Sequence, residues 1–348
     1  MRIAVVLFNL GGPDCPEAVQ PFLFNLFNDP AIIRLPSLLR WPLGQLISRR
    51  RAPVAKEIYA ELGGRSPIGE LTEEQATALE RSLTSASGDE VKCFIAMRYW
   101  HPRAQETAEK VKRFGPEKIV LLPLYPQYST TTTQSSLKEW HEEAEKVGLS
   151  APSSTVCCYP AEQRFLASHG ALLEEALKKV PDRANTRILF SAHGLPKRVV
   201  DAGDPYQAQV EFTSKTVVEH AGLDTMDWKV SYQSRVGPLE WIGPSTDRCI
   251  EEAGKEGKGL IVVPIAFVSE HSETLVELDI EYKKLADTHG VPWYVRVPAL
   301  GTQNDYIESL KTMTLAALSS NKALGPAQGY DGCGSGHTAC PFRHGRPY

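Results

Sequence analysis

Apolar, β-rich runs alternate with stretches of helical period along this chain. Runs at Ile3–Leu10, Val91–Met97, Lys118–Pro123, Arg187–Ala192, Trp228–Tyr232, Gly259–Ile265 and Pro292–Val297 predict strands. Helical spacing predicts helices between them, over Thr72–Ala86, Arg103–Phe114, Gln134–Lys146, Glu162–Lys179, Tyr206–Ala221, Thr246–Ala253, Glu273–Thr288 and Asn304–Ser319. The strands are unbroken apolar runs, as parallel strands covered on both faces must be. Strands alternating with helices predict an α/β fold built on parallel sheets.

The two halves echo one another. Leu7-Phe8-Asn9-Leu10-Gly11-Gly12-Pro13 matches Leu189-Phe190-Ser191-Ala192-His193-Gly194-Leu195-Pro196. Met97-Arg98-Tyr99 matches Ser234-Arg235-Val236, and Val120-Leu121-Leu122-Pro123-Leu124 matches Ile261-Val262-Val263-Pro264-Ile265. The order is a strand into a Gly loop, a strand into Arg, then a strand into Pro, which predicts a duplicated βα domain. The first match spans a larger offset than the others, so the first half carries an insertion between Pro16 and Val91. Domain boundaries then fall at 1–155, with the insertion at about 20–65, and at 156–324. A Gly-, Pro- and His-rich tail with two cysteines occupies 325–348.

The insertion packs Phe22, Leu23, Phe24, Leu26, Phe27, Ile32, Ile33, Leu35, Leu38, Leu39, Trp41, Leu43, Leu46 and Ile47 beside Arg49-Arg50-Arg51. Apolar residues next to a basic cluster suit an interfacial segment, and they suit a core helix pair with a solvated end equally well. Placement on a duplicated scaffold favours a lip that touches a greasy ligand or a membrane surface.

Composition narrows the partners. The chain has 348 residues, 42% hydrophobic, and a net charge of −4, so it lacks the basic excess of a nucleic-acid binder. Seven cysteines, odd in number and widely spread, with no signal peptide before the first strand, predict free thiols in a reducing cytoplasm. No apolar stretch approaches the roughly 18 residues of a membrane span.

Two places carry candidate chemistry. His193 ends the strand Arg187–Ala192, and ligands of open α/β sheets bind outside the carboxyl ends of strands. The matching place in the first half holds Leu10 or Gly11, so the repeat itself does not need an imidazole. The segment Ser269-Glu270-His271-Ser272-Glu273 follows another strand end, and Glu273, Glu277 and Glu281 recur at i, i+4 and i+8. In an α-helix these carboxylates line one face, a conduit for a divalent cation with Glu270 and His271 at its mouth. The alternative is a solvated face whose first turn favours acids, which accounts for Glu270 and Glu273 better than for Glu281. There is no G-x-G-x-x-G, P-loop, H-E-x-x-H or G-x-S-x-G.

Several strings together resemble the ferrochelatase family. They are Asn9-Leu10-Gly11-Gly12-Pro13, Phe190-Ser191-Ala192-His193-Gly194-Leu195-Pro196, Gly203-Asp204-Pro205-Tyr206, Tyr232-Gln233-Ser234-Arg235-Val236-Gly237-Pro238, Trp241-Ile242-Gly243-Pro244, and Pro264-Ile265-Ala266-Phe267 through Glu281-Tyr282. The resemblance implies a chelatase-type fold of two similar Rossmann-like domains with a porphyrin cleft, and insertion of Fe(II) to make haem. It implies that His193 and Glu273 handle metal and protons, and that Glu277 and Glu281 continue an acidic path. Tyr59, Arg98, Tyr99 and Trp241 match residues that line the macrocycle pocket or hold its carboxylates, and Phe22 to Ile47 matches the family's lip. The lip admits peripheral membrane contact.

Some members of the family hold a 2Fe-2S cluster through one internal and three tail cysteines. Cys158, Cys333 and Cys340 match that set, but the tail offers two cysteines, so Cys157, His337 or His344 would have to complete it. Two other functions stay open: a chelatase for another metal or tetrapyrrole, and a non-catalytic porphyrin- or haem-binding protein. The sequence leaves open which porphyrin is used, protoporphyrin IX or coproporphyrin III, and the oligomeric state.

Overall fold

The computed structural model describes residues 1–320 and 322–344, with residue 344 described by its backbone alone. The chain divides into two compact units. Among the described residues, the first holds Met1–Cys157 and Leu310–Gly325, and the second holds Cys158–Ser309 and 326–344.

The first unit is built on β1 (Arg2–Asn9), β2 (Glu90–Met97), β3 (Lys118–Pro123), β4 (Ser153–Val156) and β9 (Leu324–Gly325), in the order β2-β1-β3-β4-β9. The second is built on β5 (Thr186–His193), β6 (Asp227–Gln233), β7 (Gly259–Pro264) and β8 (Tyr294–Arg296), in the order β6-β5-β7-β8. All neighbours pair in parallel. The central strands of both sheets carry the same order, as a duplicated βα unit requires. Parallel neighbours cannot be joined by hairpins, so helices cross over between them.

The central strands are apolar throughout because both faces are covered. Ile3 through Phe8 and Leu260 through Val263 are buried. In the first unit, α4 (Ala104–Phe114) and α5 (Thr133–Lys146) pack Ala108, Val111, Leu137 and Trp140 against Val6, Phe8 and Leu121. The Trp140 ring meets Phe8 edge-on at 5.8 Å. In the second unit, α9 (Thr246–Lys255) and α10 (Tyr282–Thr288) place Ile250, Ala253 and Ala286 on Leu189, Leu260 and Val262.

Two short strands went unpredicted. Ser153-Ser154-Thr155-Val156 has no apolar run, and β9 is two residues long; each becomes a strand only by main-chain pairing with a partner far along the chain. That pairing also places 310–325 in the first unit, whereas the sequence pattern carried the second domain to residue 324.

The insertion folds as α1 (Val19–Phe27), α2 (Ser37–Ala60) and α3 (Ile68–Ser87). Its inner side buries Val19, Phe22, Leu23, Ala52, Tyr59 and Tyr99 together. Its outer side leaves Leu38 88%, Leu39 59% and Trp41 55% exposed, followed by exposed Arg49, Arg50 and Arg51. No helix among the described residues is long and apolar enough to cross a membrane.

Candidate active site

His193 is the last residue of β5 and pairs in register with Gln233, the last of β6. Beyond His193 the chain must pass close to β6. A Cβ on Gly194 would lie 2.9 Å from the Gln233 carbonyl, so only glycine fits. Pro196 then bridges to Trp241, whose half-buried ring approaches Gly194 and whose buried Nε1 has no hydrogen-bond partner.

The sequence predicted one α-helix over Glu273–Thr288. Instead Glu273–Glu281 forms a π-helix that runs into α10. Its i→i+5 closure winds the backbone less tightly than an α-helix, and such segments recur at functional sites. The three glutamates therefore do not form one uniform acidic face. Glu273 accepts from His193 Nδ1 at 2.9 Å, a contact between residues eighty positions apart. Glu277 accepts from the Ser234 N–H at 2.8 Å, Ser234 Oγ at 2.5 Å, Gln233 Nε2 at 2.9 Å and Tyr282 OH at 3.1 Å. Those four donors fill the acceptor sites of a carboxylate, so a cation reaching Glu277 must displace one of them. Glu281 is exposed.

The electrostatics follow from these contacts. Burial works against a charged His193, but the charge and hydrogen bond of Glu273, with help from Glu277, outweigh it and raise the imidazole above its ordinary range. Burial likewise opposes a charged Glu273, yet the nearby His193 and His271 hold it well below the usual carboxylate range. Glu277 is raised, by burial first and by the Glu273 charge second. His193 keeps 39% of its side chain exposed and Glu273 27%, so the pair remains reachable.

His271 takes a different state. Its Nδ1 accepts the Glu273 main-chain N–H at 3.0 Å, which places the proton of the neutral ring on Nε2. Burial lowers its pKa, in keeping with that neutral form. Arg296 Nη1 lies 2.5 Å from Glu270 Oε1 while its Nη2 and Nε grip Asp279, so Arg296 ties the loop before the π-helix to the helix itself.

Sequence reasoning missed the supporting residues. Ser234 is the one non-glycine residue with positive φ among the described residues, at 59°. A conformation that side chains avoid is sustained here by two hydrogen bonds to Glu277. Tyr206, the first residue of α8 (Tyr206–His220), is buried and accepts the His193 main-chain N–H on its hydroxyl. Both sit in strings that resemble the family, and Ser234 directly follows a strand end, which was the available signal.

The residues matched to the macrocycle pocket divide between the units. Trp241 lies beside the His193 loop. Tyr59, Arg98 and Tyr99 gather in the first unit, where Tyr59 and Tyr99 are buried. The Arg98 guanidinium is spent internally: Nη2 meets Asp29 Oδ2 at 2.8 Å, Nε donates to Ser135 Oγ at 2.7 Å and Nη1 meets Glu139 at 3.2 Å. Tyr99 OH donates to the same Asp29 oxygen at 2.8 Å.

Cys158, Cys333 and Cys340 come together in the second unit. Gln209 Nε2 donates to Cys333 Sγ at 3.1 Å and to Cys158 Sγ at 3.6 Å, and Cys340 is buried. A 2Fe-2S cluster needs four ligands. Cys157 belongs to the first unit, the His344 side chain lies outside the described residues, and the Gln209 amide stands among the thiols. No group of three or more His, Cys, Asp or Glu among the described residues is arranged to hold a metal ion. The three thiols supply one ligand fewer than a 2Fe-2S cluster needs.

Residues 2–318 match the family model described as Ferrochelatase. A protein named Ferrochelatase from Pelagibacter ubique is 55% identical, over 90% of this chain and 91% of its own. One from Phenylobacterium zucineum is 53% identical over 99% of both chains. The fold is similar to that of SirB from Bacillus subtilis with Fe3+, with a TM-score of 0.56 at 12% identity, covering 92% of this chain and 96% of that one. From its first strand to its last long helix, the chain belongs to the ferrochelatase family.

Proposed function

We infer that the protein is an enzyme that inserts Fe(II) into a porphyrin to form haem. The reaction removes two pyrrole N–H protons and places the iron on the four ring nitrogens. The observation that carries our assignment of residues is the His193–Glu273 contact at the end of β5. Because Nδ1 donates to Glu273, Nε2 of a neutral His193 carries the free lone pair and accepts a pyrrole proton. Glu273 fixes that tautomer and stabilises the imidazolium that forms. Two side chains alone are a weak cage for iron, so the metal is passed to the macrocycle rather than trapped. Raised Glu277 takes up a proton only by releasing one of its four donors, and Glu281 is exposed. A flat ring presents its lone pairs poorly, so contacts remote from the ring centre, Trp241 among them, offset the strain of puckering it.

Anaerobic incubation with Fe(II) and protoporphyrin IX or coproporphyrin III tests this, with porphyrin fluorescence and haem absorbance as readouts. The two porphyrins are compared by kcat/KM. Haem formation no faster than in a protein-free control sinks the assignment.

The Glu273 contact predicts a pH effect. The base form of His193 appears only above its raised pKa, so insertion rises with pH through a value above the ordinary imidazole figure of about 6.5. Glu273→Gln removes the anion that raises it. The acid limb of kcat against pH should then move to lower pH, while the plateau rate falls through lost orientation. An unmoved limb contradicts the pairing.

We also propose peripheral membrane contact through α2, supported by exposed Leu38, Leu39 and Trp41 beside Arg49, Arg50 and Arg51. Co-sedimentation with anionic vesicles should drop at least several-fold in a Leu38→Ser/Leu39→Ser/Trp41→Ser variant. Equal binding by the variant removes the contact.

A further inference from the structure

We propose that Arg296 is a positioning residue for iron insertion: by gripping carboxylates on both sides of Glu273 it fixes the winding of the π-helix, and so keeps the Glu273 carboxylate on His193. This role rests on the insertion reading and adds to it a residue that acts through others.

Arg296 is the last residue of β8, a three-residue strand at the edge of its sheet. Successive strand residues point to opposite faces, so Tyr294 and Arg296 share one face. Both reach the π-helix. Tyr294 OH donates to the Leu278 carbonyl at 2.7 Å. Arg296 Nε donates to Asp279 Oδ1 at 2.7 Å, Nη2 to Asp279 Oδ2 at 2.5 Å, and Nη1 to Glu270 Oε1 at 2.5 Å. Among the described residues, the guanidinium's one further polar contact is a long one from Nη1 to the Val297 carbonyl, 3.4 Å. The side chain is 12% exposed, so water competes little for its donors. Just past β8, the Ala299 N–H donates to the same Glu270 oxygen at 2.9 Å, a second hold on that carboxylate.

Glu270 lies three residues before Glu273, and Asp279 lies six residues after it. A guanidinium is planar and its donors stand in a rigid fork. One plane therefore ties together two carboxylates with most of the π-helix between them. The i→i+5 closure turns the chain less per residue than an α-helix does. If the segment rewound as an α-helix, Asp279 would swing about the axis relative to Glu270, and the fork could no longer hold both. While it holds both, the intervening turns keep their winding and Glu273 keeps its direction. The opposite side of the segment is pinned from β6, where Gln233 Nε2 donates to the Glu273 carbonyl at 2.9 Å. Gln233 thus fixes the backbone at Glu273, and Arg296 fixes the winding around it. A lysine would bring the charge without the fork and would reach one carboxylate at a time.

The test uses the full chain. Arg296→Met removes charge and fork together, and Arg296→Lys removes the fork alone, so the second variant stands in should the first fail to fold. Each should lower kcat by about 10- to 100-fold, the usual cost of a displaced group, with KM for the porphyrin little changed. In a Glu273→Gln background Arg296→Lys should cost little more, because the group it positions has already lost its function. A second readout needs no turnover. Ring 15N shifts of histidine-labelled protein, taken at a pH where His193 is neutral and assigned by their loss in His193→Ala, show which nitrogen holds the proton. The parent should hold it on Nδ1, and Arg296→Lys should move it towards Nε2. Parental kcat in Arg296→Lys, losses that multiply in the double variant, or a ring proton that stays on Nδ1 overturns the role of Arg296, as does a parent ring protonated on Nε2. A parent enzyme that forms no haem sinks the insertion reading instead, and the ring shifts still decide whether Arg296 places Glu273.

Discussion

His193→Ala is expected to lower kcat for iron insertion by about 10²- to 10⁴-fold, the usual worth of a positioned general base. Porphyrin affinity, read by fluorescence quenching, should change little. The reason is geometric: the imidazole sits at a strand end with one nitrogen held by Glu273 at 2.9 Å. Alanine removes the acceptor for the pyrrole proton and leaves the Glu273 carboxylate without its main counter-charge. A variant with near-normal kcat and intact porphyrin binding would take the proton-accepting role away from this residue. The Glu273→Gln variant separates the two halves of the pair, because it keeps the base but loses the group that raises its pKa.

Asp29→Ala is expected to cost about 3–5 kcal/mol of stability, as breaking a buried ion pair from one side does. Its side chain is 1% exposed and that of Arg98 is 12% exposed. One Asp29 oxygen serves Arg98, Tyr99 and Ser135 at once, at 2.8, 2.8 and 2.5 Å. Truncation leaves a guanidinium with only Glu139 as counter-charge, and two buried hydroxyls without their acceptor. Urea unfolding, followed by hydrogen exchange at the β1 amides, reads this in the unit concerned. Asp29→Ala/Arg98→Met should recover part of the loss, since an apolar pair leaves no buried charge. A single-variant loss below about 1 kcal/mol would show the network to be weak. The network also bears on Arg98 in the porphyrin pocket. Three of its five N–H donors are engaged by Asp29, Ser135 and Glu139, so its charge is already countered before any ring carboxylate arrives.

Much of the scaffold was legible because burial on both faces writes itself into consecutive residues. Each run read as a strand lies on a strand of the structure, down to Lys118–Pro123 with both ends matched. The insertion was legible in position but not in orientation. Phe22 and Leu38 look alike in sequence, yet one is 5% exposed and the other 88%, and only packing decides which face turns inward. The glutamate row shows a sharper limit. A spacing of i, i+4, i+8 is common to an α-helix and to the wider π-helix, so the pattern could not tell one from the other. The three carboxylates then met three environments: an ion pair, a nest of four donors, and open solvent.

What the sequence determined on its own is local: which stretches become buried strands, that they repeat, and that His193 and Glu273 each follow a strand end. Those properties depend on neighbours along the chain. Tertiary structure alone decided that the two side chains meet across eighty residues, that Glu277 is filled by Ser234, Gln233 and Tyr282, and that Cys158 and Cys333 share the Gln209 amide. Parallel sheets bring distant strand ends side by side, and the partners so created leave no periodic trace in the chain.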